Sequence, residues 1–101
     1  MIARYWSARA TPANLSAYRL HFEKNVIPEL KIISGFVRAD LLTRVAGKEA
    51  EIVVLSVWDS MEAVTAFAGP DPEAAAVAPA AAVLFTDYDR RVRHFEIAAS
   101  V

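Results

Sequence analysis

The 101-residue sequence contains no cysteine, only three glycines and nearly balanced charges. Without cysteine it has no disulfide framework, thiol nucleophile or iron–sulfur cluster. The glycines, at positions 35, 47 and 69, stand far apart in turn-like contexts, which argues against a phosphate-cradling loop. The formal net charge of −1 leaves no excess of positive charge to hold a nucleic-acid backbone. These features argue against nucleotide-dependent enzymes and nucleic-acid-binding modules.

Long apolar runs are also missing, although hydrophobic residues make up 55% of the chain. No stretch of about 20 apolar residues is present to cross a membrane, and the first residues lack an apolar secretory segment. We therefore expect a cytoplasmic protein without membrane contact. The length and composition suit one globular domain over residues 1–101.

The hydrophobic pattern predicts the order strand, helix, strand, strand, helix, strand. The predicted strands are Ile2–Ala10, Phe36–Val45, Glu51–Trp58 and Arg91–Ala98. This order is typical of an α+β, ferredoxin-like split βαβ subunit with an antiparallel sheet.

The helices are predicted from their capping and breaking residues. The first follows Thr11 and is interrupted by Pro28, which lacks an N–H. The second follows Asp59 or Ser60 and runs through residue 68. The alanine-rich stretch Glu73–Leu84 has helical propensity, which Pro79 must break or kink.

The third strand does not alternate between apolar and polar residues. Its side chains at 52, 54 and 58 are apolar and point one way, and those at 53, 55 and 57 are apolar and point the other way. Two helices cover only one face of a sheet. We therefore expect Val53, Leu55 and Val57 to be covered by the sheet of a second copy, in a homodimer.

Candidate site residues come from the strand alternation and from the first helix. Arg4 and Trp6 share one face of the first strand, and an arginine among aromatic rings suits an anionic phenolate or carboxylate. The alternative is that Trp6 and Trp58 serve only the core or the dimer interface. Tyr18 and Phe22 lie on the apolar stripe of the helix, where packing is the alternative role.

The two histidines are far apart and form no metal-binding motif, so no metal site is expected. His94 lies on the last strand and is a candidate general base, with a structural hydrogen-bonded histidine as the alternative. His21 is expected at the rim of the first helix or in solvent.

Several segments in order along the chain resemble the antibiotic biosynthesis monooxygenase domain. They include the opening Met1-Ile2-Ala3-Arg4-x-Trp6, Ile27-Pro28-Glu29-Leu30, the strand-to-helix segment Val57-Trp58-Asp59-Ser60-Met61-Glu62-Ala63 with Phe67 beyond it, and Val92-x-His94-Phe95-Glu96. The resemblance implies a dimeric α+β barrel. It also implies oxidation of phenols or anthrones by molecular oxygen without a cofactor.

Carried over residue by residue, the resemblance supports Trp58 as a site residue, because it matches a tryptophan of the polyketide oxygenases of this family. Those enzymes use an asparagine four residues before it and a tyrosine six residues after it, where this chain has Val54 and Val64. The heme-degrading relatives use a second tryptophan, where this chain has Phe67. The resemblance to heme degraders is therefore the weaker one.

Two functional hypotheses follow. The first is a cofactor-independent monooxygenase acting on a hydrophobic phenol, quinol or anthrone-like molecule, with His94 as the base and Arg4 as the anion stabiliser. Its substrate-binding residues are expected to be Trp6, Trp58, Tyr18, Phe22 and Phe67. The alternative is a non-catalytic homodimer of the same fold that binds a small apolar ligand or serves as an interaction protein.

Overall fold

A computed structural model describes all 101 residues as an antiparallel sheet with the main helices on one face. The strands are β1 (Ile2–Ala10), β2 (Phe36–Ala46), β3 (Glu49–Trp58), β4 (Asp87–Tyr88) and β5 (Arg93–Glu96). The helices are α1 (Leu15–His21), α2 (Ile27–Lys31), α3 (Met61–Ala68) and the short α4 (Pro79–Ala82). None of these helices has the length and apolar character needed to cross a membrane.

The strand order confirms the ferredoxin-like arrangement predicted from the sequence. β1 lies in the middle, with β3 and then β2 on one side and both β4 and β5 on the other. All pairings are antiparallel. Arg4 faces Ser56 across the β1–β3 ladder and His94 across the β1–β5 ladder, so one strand position gathers three polar side chains.

The last strand is shorter than predicted, and a second short strand precedes it. Instead of Arg91–Ala98, the structure has β5 at Arg93–Glu96, and residues 89–92 separate it from β4, which lies outside the predicted range. The carbonyl of Asp89 accepts a hydrogen bond from the indole N–H of Trp6 at 2.8 Å. The N–H of Val92 donates to the carbonyl of Glu73 at 2.8 Å. These residues therefore leave the ladder because other parts of the chain supply their hydrogen bonds.

Pro28 does not interrupt the first helix, contrary to the prediction. The chain continues from α1 through a wider π-helical turn, Phe22–Val26, directly into α2, where Pro28 lies near the start. Proline is tolerated in a first helical turn because its missing N–H has no helical partner there. The π-helical turn resets the hydrogen-bonding register and so places Pro28 at such a position.

The alanine-rich stretch is also less helical than predicted. Only α4 forms, and Pro79 begins this helix instead of breaking one. Before it, Ala74 pairs with Arg91, and the N–H of Ala75 donates to the carbonyl of Arg90 at 2.9 Å. Residues 70–78, which we call the wall loop, are therefore held by the segment between β4 and β5.

The core lies between the sheet and its helices in two clusters. The larger contains Trp6, Tyr18, Phe22 and Ile52, and the smaller contains Leu30 and Trp58, among others. Trp58 is fully buried and lies against Phe36 and Phe67 with ring centroids 5.3 and 5.5 Å away. The two clusters flank the place where Arg4 and Ser56 lie side by side.

The other face of the sheet contributes to neither cluster. Val57 is buried, whereas Val53 and Leu55 are only half-buried. Leu42 pairs with Val53 in the ladder and so shares this face, and it is about half exposed at 49%. The sheet face opposite the helices thus keeps an apolar surface, and we call this face the open face.

Candidate functional site

A cavity of about 380 Å³ lies between the sheet, the first helical segment and the wall loop. Eleven of its 16 lining residues are hydrophobic. The sheet contributes Arg4, Trp6, Val54, Ser56 and, just before β5, Val92. The helical segment contributes Tyr18, His21, Asn25, Val26, Glu29 and Leu30. The remaining wall is formed by Phe67, Ala76, Val77, Ala78 and Ala81. An apolar chamber with few polar groups is typical of small-molecule sites.

Arg4 is the buried cation of this cavity, with only 4% of its surface exposed. Its guanidinium donates to the carbonyls of Pro72 and Ala74 in the wall loop and to a ring nitrogen of His94. All three partners are neutral acceptors, and Arg4 takes part in none of the chain's salt bridges. Burial lowers the pKa of Arg4 from 12.5 to about 10, so the charge persists at neutral pH without a counter-ion.

The guanidinium of Arg4 also keeps donors free. Both hydrogens of Nη1 are used by Pro72 and His94, and one hydrogen of Nη2 is used by Ala74. Nε and the second hydrogen of Nη2 have no acceptor in the protein. Every fully buried side-chain nitrogen has a partner, so Nε keeps access to the cavity that Arg4 lines. Arg4 is thus placed to bind an acceptor in the cavity.

His94 lies behind Arg4 and does not line the cavity. Its Nε2 is 3.0 Å from Nη1 of Arg4. A guanidinium only donates, so Nε2 accepts and the imidazole is neutral with its proton on Nδ1. The pKa of His94 is lowered by burial and by the charge of Arg4, against a smaller effect of Glu73. A catalytic role for His94 stays a prediction, and in this arrangement its lone pair is already occupied.

Ser56 lines the cavity beside Arg4 and is 5% exposed. Its hydroxyl oxygen accepts a hydrogen bond from the indole N–H of Trp58 at 2.9 Å. Ser56 was not among the site residues predicted from the sequence. A small hydroxyl residue on the helix-facing side, two positions before a buried tryptophan, was the available signal.

Tyr18 reaches the same cavity from α1. Its ring packs on Trp6 and Phe85, at centroid distances of 6.3 and 5.1 Å. Its hydroxyl has no hydrogen-bond partner in the protein and is not fully buried, so it remains open to a ligand or water. Burial of the side chain raises the pKa of Tyr18 to about 12, which keeps the phenol neutral.

The other predicted binding residues divide into two groups. Trp6 and Phe67 line the cavity, and the Phe67 ring lies 5.7 Å from the guanidinium carbon of Arg4, within the range of a cation–π contact. Trp58 and Phe22 are buried behind the lining. Their role in ligand binding stays a prediction, and their visible role is to support residues that touch the cavity.

The helical wall adds three polar residues that were not among the predicted binding residues, namely His21, Asn25 and Glu29. His21 is half-buried, and its Nδ1 lies 3.2 Å from the side-chain nitrogen of Asn25. An amide nitrogen only donates, so the lone pair of this imidazole is also engaged. The π-helical turn that contains Asn25 could not be read from the sequence pattern, which is why this wall was missed.

The profile of the antibiotic biosynthesis monooxygenase family matches residues 1–78, which include β1, the helical wall, Ser56, Trp58 and Phe67. The chain belongs to this family. The match ends with the last residue of the wall loop, before α4 and the two last strands. No curated protein matches the chain in sequence.

Solved structures with the same fold cover the chain from end to end. A "putative antibiotic biosynthesis monooxygenase" from Deinococcus radiodurans has a TM-score of 0.70 at 12% identity, covering 100% of this chain and 96% of its own. The heme-degrader MhuD from Mycobacterium tuberculosis, with two hemes bound in its active site, has a TM-score of 0.65 at 25% identity, covering 100% and 99%. A further "putative" family protein from Bacillus cereus has a TM-score of 0.57 at 16% identity, covering 99% and 91%.

Proposed function

We propose that this protein is a monooxygenase that binds a phenol-like or anthrone-like aromatic molecule in the cavity and oxidises it with molecular oxygen. The observation that carries the proposal is the buried guanidinium of Arg4. It lies in an apolar chamber and has only neutral partners. A cation buried without a counter-ion favours an anionic ligand, because the ligand restores the missing partner charge. Family membership supports the oxygenase chemistry.

The reaction needs the substrate as its anion. An anthrone-type substrate loses a proton from its central CH2 group, and the negative charge spreads onto its oxygen, next to Arg4. The carbanion gives electrons to dioxygen. One oxygen atom becomes the new carbonyl, and the other leaves as water with the two hydrogens of the CH2 group. The protein's part is to stabilise the anion by charge and hydrogen bonds in a site of low polarity.

His94 is the proposed base for the first proton transfer, as the sequence predicts. Its lone pair has to leave Arg4 before it accepts a proton, because the two groups are in contact at 3.0 Å. As negative charge develops on the substrate oxygen, it competes with the neutral imidazole for the guanidinium, because a cation attracts an anion more strongly than a neutral ring nitrogen. Proton transfer to His94 and the shift of Arg4 to the substrate oxygen are therefore proposed to be coupled.

The working unit is proposed to be a homodimer. Val53 and Leu55 are half-buried on the open face, and Leu42 and Phe95 add apolar side chains that are 49% and 48% exposed. These apolar side chains, which lie among charged residues such as Asp40 and Arg93 on the same face, favour contact with a second sheet. The same residue set is present in every copy, which suits a symmetric pair.

Heme is not the proposed ligand, although MhuD holds it. Heme iron takes an axial side chain such as a histidine. Here the lone pair of His21 faces Asn25 and that of His94 faces Arg4, and only His21 lines the cavity. Neither histidine is therefore free to serve as an axial ligand, and the proposal commits to a smaller organic anion.

The proposal is tested by oxygen consumption with anthrone and with a quinol as substrates. We expect turnover by the wild type, loss of turnover in Arg4→Gln, and wild-type turnover in Arg19→Gln. Arg19 is exposed on α1 and provides a matched loss of one positive charge. Oxygen uptake that does not depend on Arg4 would contradict the proposed site. His94→Ala tests the base, since it should remove turnover while leaving the fold intact.

A ligand-binding protein without catalysis is the second candidate. It is favoured by Val54 and Val64, which provide no side-chain hydrogen bond near Trp58, and by the occupied lone pairs of both histidines. This candidate predicts thermal stabilisation by aromatic anions without oxygen uptake. Formation of an oxygenated product would eliminate it.

A further inference from the structure

We infer that Ser56 and Arg4 together donate hydrogen bonds to one ligand oxyanion, and that Trp58 positions Ser56 for this role. The inference builds on the proposed function, because it defines the part of the aromatic ligand that the cavity recognises. It assigns binding to Ser56, which the sequence analysis passed over. It also gives Trp58 a positioning role instead of a place in the cavity wall.

The two side chains are close neighbours by strand register. Arg4 on β1 is directly opposite Ser56 on β3, and both line the cavity. Cβ atoms of such paired residues lie about 4.5–5.5 Å apart on the same face of the sheet. At 4% and 5% exposure, both are shielded from bulk water. Both side chains therefore border the same cavity, where a ligand oxyanion is proposed to receive their free hydrogens.

The hydroxyl of Ser56 has one of its two acceptor lone pairs occupied. The indole N–H of Trp58 donates to this oxygen at 2.9 Å, and the Ser56 O–H has no acceptor in the protein. A hydroxyl that accepts one hydrogen bond has its own proton left to donate. Trp58 is fully buried between Phe36 and Phe67, so the direction of its N–H is fixed by packing.

The free donors at this point of the cavity belong to Arg4 and Ser56. Arg4 has Nε and one Nη2 hydrogen free, and Ser56 has its O–H free. A deprotonated oxygen accepts hydrogen bonds from these groups and also supplies the negative charge that the buried guanidinium lacks, whereas a neutral phenol supplies no charge. The arrangement therefore selects the ionised form of a phenol or enol, which is the form that reacts with oxygen in the proposed function.

The test compares the affinities for para-nitrophenolate and para-nitroanisole, which differ in the charged oxygen, by isothermal titration calorimetry at a pH where the free phenol is ionised. Ser56→Ala is expected to weaken phenolate binding about tenfold, since a hydrogen bond to a charged group stabilises by roughly 1.4 kcal/mol or more. Binding of the anisole should change little. Trp58→Phe should weaken phenolate binding to an intermediate degree, again without affecting the anisole.

Ser56→Ala leaves the buried N–H of Trp58 without its partner, so a stability control is needed. The double variant Ser56→Ala with Trp58→Phe removes donor and acceptor together, and thermal melts check that it folds. It should show the same selective loss of phenolate affinity. If the single and double variants bind phenolate as the wild type does, the inference is wrong, and the oxygenase proposal is still judged by anthrone turnover. If the wild type does not bind phenolate more tightly than anisole, both the inference about Ser56 and the oxygenase proposal are contradicted.

Discussion

Nη1 of Arg4 lies 3.0 Å from Nε2 of His94, and this contact makes the imidazole an acceptor of a hydrogen bond from a cation. The two residues face each other across the β1–β5 ladder, so the contact is built into the sheet. Its consequence is that His94 has to be neutral for the cavity to keep this shape. Protonation of His94 would place two positive charges side by side.

Stability is therefore expected to fall on acidification. The folded protein holds the pKa of His94 below its ordinary 6.5, mainly by burial and then by the charge of Arg4. As the pH drops below 6.5, the unfolded chain takes up this proton before the folded one does. The stability that is present above 6.5 is then progressively lost. Urea unfolding across this range should show a flatter acid dependence for His94→Gln. Equal slopes for the wild type and His94→Gln would refute the role of the contact.

Tyr18 is expected to limit the stability of the protein at alkaline pH. Burial raises the pKa of Tyr18 to about 12, whereas the unfolded chain loses this proton near 10. Stability is complete below 10 and declines as the pH rises toward 12, because the unfolded chain releases its proton first. Tyr18→Phe should remove this decline. It should cost less than about 0.5 kcal/mol at neutral pH, because the hydroxyl has no protein partner. Tyr88→Phe serves as the control, and an unchanged alkaline decline in Tyr18→Phe would contradict the assignment.

Gly35 is expected to be irreplaceable for local steric reasons. Its φ angle is +93°, and a Cβ placed on it would lie 2.5 Å from Oδ1 of Asp59 and 2.6 Å from Cβ of Ala63. Gly47 has a φ angle of +63° but open space around it. Gly35→Ala should destabilise by about 3 kcal/mol or more, from backbone strain together with overpacking, and Gly47→Ala by about 1 kcal/mol. Denaturant melts of both variants measure these losses of stability. Equal losses would contradict the close approach at Gly35.

The proposed dimer depends on the open face. Leu55→Lys puts a charge in the middle of this face, where burial against a second sheet would be costly. We expect the variant to sediment as a single chain in analytical ultracentrifugation and the wild type to sediment as a dimer. Leu20→Lys changes an apolar residue that is 54% exposed on α1 and should leave the dimer intact. A wild type that sediments as a single chain would remove the dimer from the account.

The sequence was most informative where local pattern and packing agree. β1 was predicted with the bounds that the structure has, and β2 and β3 differ from the prediction by one and two residues. Ser60 was one of two predicted caps of α3, and its hydroxyl accepts a hydrogen bond from the N–H of Ala63 at 3.2 Å. These elements are determined by hydrophobic spacing and by a side chain that acts within its own turn.

The errors occur where distant contacts decide the backbone. Pro28 is accommodated by a π-helical turn, and Pro79 begins a helix after the wall loop has paired with residues 90–92. The break between β4 and β5 depends on the bond from Trp6 to Asp89, which are 83 positions apart in the sequence. A pattern read along the chain does not contain such pairings.

Part of the site was predictable from local patterns in the sequence. Arg4, Trp6 and Tyr18 follow from strand alternation and the helical stripe, and Phe67 from the family resemblance, and all four line the cavity. The role of Ser56 depends on its register with Arg4 and on the indole direction of Trp58, both of which require coordinates.

The buried charge of Arg4 is the feature on which the functional account depends, and its most direct test is the binding of para-nitrophenolate to Arg4→Gln. The account predicts a loss of affinity of at least about tenfold relative to the wild type, because the ligand oxygen loses a charged partner. Arg19→Gln should bind as tightly as the wild type. Equal phenolate affinity in wild type and Arg4→Gln would show that the guanidinium does not hold the ligand, and the account would then be wrong.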